Sequence, residues 1–231
     1  MLSRLYYDLG YVAMLDGDAA PAREWFERSA QEARDQGNEV AAAIADCVLA
    51  VFLARVQAIS LKDAATVLNS ALTVFESQAE QSVNAERWVS NNHAHLLDLH
   101  CEMGDETAAR FHAARLADDP WVSRFSSSVD TDAWLALVSL AFGDPHDALA
   151  PLRSRAAPEI ALMEPLEQRA RWFLAWGDAL AGVGRTEEAR ETWSAGLGCP
   201  SDAGNWLWQP ALAARLAAFD SNPGGGGHDR G

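Results

Sequence analysis

The chain has 231 residues, about half of them apolar, which is enough to bury a sizeable core and excludes intrinsic disorder. Thirty-three acidic against eighteen basic residues leave a formal net charge of −15. That balance excludes sequence-independent nucleic-acid binding and attachment to an anionic membrane surface, because both rest on Lys and Arg neutralising phosphates.

From Met1 the chain reaches Asp8 before an apolar run of signal-peptide length can form, so no secretion signal is evident. A first helix carries Leu9, Gly10 and Ala13 and ends at Gly17-Asp18; a second follows with Ala22 and Phe26. The longest apolar stretch runs from Val40 to Val56, but Asp46 interrupts it and Arg55 stands near its end. A bilayer span needs roughly 20 consecutive apolar residues, so this is read as a buried helix. Further helix pairs are expected to turn at 59–62, 103–105, 142–145 and 183–186, as the first does at 16–18. Pro145 fits a first helical position, Pro165 opens a long helix through Gly182, and Pro120 follows an ended helix. Trp206 to Phe219 reads as one more amphipathic helix, and the Gly-rich residues 221–231 as a flexible tail. Nothing alternates with period two, so no strand is expected. Cys47, Cys101 and Cys199 are odd in number and lack CxxC spacing, the pattern of reduced thiols in a cytoplasmic protein.

One pattern recurs about every 40 residues: a glycine, a polar residue, then an alanine five positions after the glycine. It appears at Gly17-Asp18 to Ala22, Gly104-Asp105 to Ala109, Gly143-Asp144 to Ala148 and Gly184-Arg185 to Ala189, with Ser60 to Ala65 as a degenerate member. A glycine supplies the positive φ that ends one helix, and an Asp side chain can cap the next. The alanine lets antiparallel helices approach, and four residues on stand Phe26, Leu152 and Trp193, with Ala113 and Asn69 as weaker counterparts, to fill the seam.

These residues resemble the tetratricopeptide repeat. The best matches are Trp176-Gly177 through Leu180, Gly184, Ala189 and Trp193, and Leu9-Gly10 through Ala13, Gly17, Ala22 and Phe26. The spacing is longer than that family's standard of about 34 residues and resembles the helical-repeat region of bacterial LuxR-type signalling regulators. No GxxxxGK[ST] loop or basic recognition helix accompanies it. The resemblance implies an all-α, right-handed solenoid of about five helix-turn-helix repeats over 1–220. The repeats would span roughly 3–37, 38–82, 85–119, 128–157 and 165–199, with a capping helix over 205–219. It also implies a scaffold whose first helices line a concave groove, at Tyr7, Tyr11, Asn91, Asn92, His95, Asp98, Arg171, Leu174 and Asp178. An acidic groove favours a protein or peptide partner with basic segments. A ligand- or signal-peptide-sensing regulatory module is the alternative.

No constellation argues for catalysis, metal or cofactor. His93, His95, His100, Cys101 and His112 crowd together, yet no two histidines have the i, i+4 spacing that shares a helix face. The acidic pairs sit where first helical turns accept carboxylates, and neither GxSxG nor a Ser-His-Asp order is legible. Nine tryptophans are expected mainly between helix layers, with Trp121, Trp206 and Trp208 nearer turns.

Overall fold

A computed structural model describes residues 2–119, 128–152, 166–198 and 208–221. Those residues form eleven helices and no strand. Pro120, Trp121, Pro165, Cys199, Trp206 and the tail beyond 221 lie outside them. The chain divides into two compact units, residues 1–125 and 126–231.

The first unit holds α1 (Leu2–Leu15), α2 (Ala19–Asp35), α3 (Glu39–Arg55), α4 (Leu61–Gln78), α5 (Val83–Met103) and α6 (Glu106–Ala117). Each helix packs on its sequence neighbour, and α3 also touches α1 and α5. The second unit holds α7 (Ser128–Phe142), α8 (Pro145–Leu152), α9 (Leu166–Gly182), α10 (Thr186–Leu197) and α11 (Gln209–Ser221). There α9 is central, packing on α7, α8, α10 and α11. No helix among the described residues is long and apolar enough to cross a membrane; α3 is apolar nearly all round because it is buried nearly all round.

The turns within helix pairs show why the sequence pattern exists. Gly17, Gly104 and Gly184 adopt φ of 77°, 73° and 80°, the left-handed region where a side chain is strained. The residue after each begins the next helix, and its carbonyl accepts the N–H of the alanine four positions on: Asp18 to Ala22, Asp105 to Ala109, Arg185 to Ala189. Side-chain capping is less uniform than expected. Asp105 accepts from the Ala108 N–H and Asp144 from the His146 N–H, whereas Asp18 makes no side-chain cap bond. Gly143 turns without a positive φ.

The degenerate member is corrected by one residue. Its left-handed position is filled by Gln57, at φ 58°, so the turn covers 56–60 and Ser60 itself is the N-cap, accepting from the Asp63 N–H. Ser60 therefore corresponds to Asp18, and its counterparts of Ala22 and Phe26 are Ala64 and Leu68, both fully buried; Asn69 is exposed. In that register the alanine four after the cap is sealed at all five turns: Ala22, Ala64, Ala109, Ala148 and Ala189.

The seam itself is a glycine facing an aromatic ring. A Cβ placed on Gly10 would stand 3.0 Å from the Phe26 ring, and one on Gly177 would fall inside the Trp193 indole. Overpacking such seams costs about 1–3 kcal/mol. Ala22→Phe and Ala189→Phe should each lower the urea midpoint accordingly, and unchanged midpoints would show that neither alanine lies at a tight seam.

Candidate functional site

The residues expected to face a partner meet different fates. Asn92 is fully buried: its amide donates to the Leu68 carbonyl at 2.7 Å, and its oxygen accepts from the Cys47 thiol at 3.7 Å. It ties α5 to α4 and α3, so a partner cannot reach it. Burial also withdraws the Cys47 thiol from reaction by raising its pKa, with the Asp46 charge adding to that rise. Asp98, Arg171 and Leu174 are buried as well. The Arg171 guanidinium lies 5.7 Å from the Trp134 ring centre and 5.5 Å from that of Trp208, a cationic centre wedged among aromatics within the second unit. Asp178 accepts two bonds from Arg215, at 2.9 and 3.0 Å, and one from the Trp193 indole at 3.2 Å. It clamps α11 onto α9 and α10. These positions read as inward-facing in the sequence because they do face inward, toward other helices. Tyr7, Tyr11, Asn91 and His95 are half-buried and remain reachable. Tyr7 stacks on Tyr11 and meets Phe26 edge-on.

A groove of about 560 Å³ lies elsewhere in the first unit, with α3 as its floor and α2 and α4 as its walls. None of the sequence-proposed residues lines it. It exists because α2 and α4 each pack on α3 and not substantially on one another, and because α3 turns Ala42, Ala43 and Ala50 toward the gap. Leu49, Leu53, Ile59, Val67 and Val74 complete an apolar lining. Arg23, Glu27, Arg34, Glu39, Asp46 and Asp63 provide the charges, four carboxylates against two guanidiniums. Arg34 on α2 is ion-paired with Asp46 on α3, and Arg23 with Glu27 at 3.8 Å. Burial raises the Asp46 pKa, and the Arg34 charge and hydrogen bond work against that rise.

The histidines form a second cluster that spacing within one helix could not reveal. His93 and His100 lie two turns apart on one face of α5, and His112 enters from α6. The Nδ1 atoms of His93 and His112 share a hydrogen bond of 2.9 Å, and His100 stacks on His112 with ring centres 5.4 Å apart. His93 and His112 are buried. Among the described residues no group of His, Cys, Asp or Glu is arranged to hold a metal ion. The available signal was the i, i+7 pair on α5 facing a helix that also carries a histidine.

Comparison with protein-family models, with curated proteins and with solved structures finds no match to this chain.

Proposed function

We propose that this chain is a cytoplasmic protein- or peptide-binding scaffold of tetratricopeptide-like repeats, coiled as a right-handed solenoid, and that the groove over α3 receives the partner. One observation carries this reading: a groove with an apolar floor, walled by two helices, whose rim charges are predominantly acidic. Such a groove suits a segment that inserts Leu- or Val-sized side chains and presents Arg or Lys to Glu27, Glu39 and Asp63. Alternation of helix pairs with tight turns supports the repeat reading, and the glycine–aromatic seams Gly10–Phe26 and Gly177–Trp193 support its tetratricopeptide character.

The volume also lies within the range of small-molecule pockets, about 300–1,000 Å³, which favours the ligand-sensing module as the second reading. One experiment tests the groove as the peptide site. Random peptides displayed on phage are selected on the full chain and counter-selected on Ala43→Trp, which fills the groove. Enriched peptides should combine apolar residues with Arg or Lys, bind Ala43→Trp at least tenfold more weakly, and lose affinity as salt rises. Enrichment of acidic peptides, or equal binding to the filled variant, would remove the groove as the binding site.

A further inference from the structure

The outer face of α1 is apolar and uncovered. Leu2, Leu5, Leu9 and Val12 are 50, 53, 37 and 56 % exposed, whereas the opposite face of the same helix buries Gly10 and Met14. Their spacing is 3-4-3, the a/d rhythm by which one helix packs along another. Single exposed apolar residues are ordinary, but a row of four on one helical stripe is an interaction surface.

We propose that this stripe pairs with the same stripe on a second copy of the chain, antiparallel, in a two-fold dimer. The row is symmetric about Tyr7, so it reads the same in both directions. A two-fold axis there sets Leu2 against Val12 of the second copy and Leu5 against Leu9 of the second copy, which is the self-complementarity an isologous contact requires. Charge agrees with this. Although the chain carries −15, α1 holds only Arg4 and Asp8, now paired with each other at 3.0 Å. Both stand on one flank of the stripe. Antiparallel pairing keeps that flank in common, so along the helix axis Asp8 of each copy stands level, to within a helical turn, with Arg4 of the other. A head-to-tail stack has no such match: α11, the last described helix, exposes no large apolar side chain and offers Ala213, Ala214, Arg215, Ala217 and Ala218 instead.

A single helix face is small beside a standard interface, so association is expected on the order of 10 µM. Sedimentation velocity of the full chain across that range should show monomer passing to dimer. Leu5→Glu with Leu9→Glu should raise the dissociation constant more than tenfold while far-UV circular dichroism is unchanged. Should that variant misfold, the orientation is read by mild oxidation of Leu5→Cys mixed with Leu9→Cys. The cross-linked dimer should form faster in the mixture than in either variant alone. A chain that stays monomeric throughout, as it would if another protein covered the stripe, overturns the proposal. So does a dimer that the glutamates leave intact, or cross-linking no faster in the mixture.

Discussion

Gly177→Ala should unfold the second unit at lower denaturant, although alanine is the better helix former. Gly177 sits inside α9, where replacing glycine ordinarily stabilises a helix by about 1 kcal/mol. Here the new methyl would occupy the space of the Trp193 indole, and three things resist its displacement. Trp193 is buried, its Nε1–H donates to Asp178, and Asp178 is held in turn by Arg215 of α11. Moving the ring therefore disturbs the junction of α9, α10 and α11 together. Overpacking of this kind costs about 1–3 kcal/mol and exceeds the helix-propensity gain at its upper end. A net loss of roughly 2 kcal/mol is expected, read as a fall in urea midpoint with a change in tryptophan fluorescence. The control is sharper than the loss. In a Trp193→Leu background the ring is gone, so Gly177→Ala should there be neutral or stabilising, and the difference between backgrounds measures the seam. Equal effects in both would show that the glycine is not there to admit the indole.

Acidification should destabilise the first unit between about pH 6.5 and pH 4, more steeply than its carboxylates alone require. Burial pushes the pKa of His93 down to about 4, with the Arg115 charge adding to the shift and Asp119 opposing it. For His112 burial acts first, His93 and His100 add to it, and Asp105 opposes it, with the same outcome of about 4. In the unfolded chain both would titrate near the usual 6.5. The unfolded state thus binds more protons throughout that window. The contribution is complete above 6.5 and is lost as the pH falls toward the folded value. Each histidine can contribute up to roughly 3 kcal/mol, less when the two are coupled. The geometry supports the sign: the shared Nδ1–Nδ1 bond accommodates one proton, and His93 Nε2 has no hydrogen-bond partner among the described residues. The urea midpoint should fall across this range in the parent, and His112→Phe should flatten the dependence by removing one titrating group from the core. A parent midpoint constant from 6.5 to 4.5 would contradict the buried neutral pair.

Much of the fold was legible because turns and seams are local. A positive-φ glycine, a polar cap and a small residue four positions later are consequences of how one helix ends and the next begins, so Gly17, Gly104 and Gly184 announce themselves wherever they stand. The one misplaced turn is where no glycine marks the place: Gln57 holds the left-handed position, a residue type that gives no warning, and the register slipped by one from Ser60 to Asn69 alone.

What neither pattern nor resemblance could decide is which side of a helix is covered, since that depends on the helices packed around it. Asn92, Asp98, Arg171 and Leu174 have the spacing of a lining face, yet neighbouring helices close over all four. Asp178 looks like a free carboxylate until Arg215, thirty-seven residues later, returns to it. The groove over α3 arises because buried alanines on α3, which periodicity counts as core, are too small to fill the gap between α2 and α4. His112 joins His93 only through the pairing of α5 with α6. Local backbone chemistry placed the helices and most of their turns; contact between segments far apart in the chain decided which side chains are sealed, which are paired and which remain open to a partner.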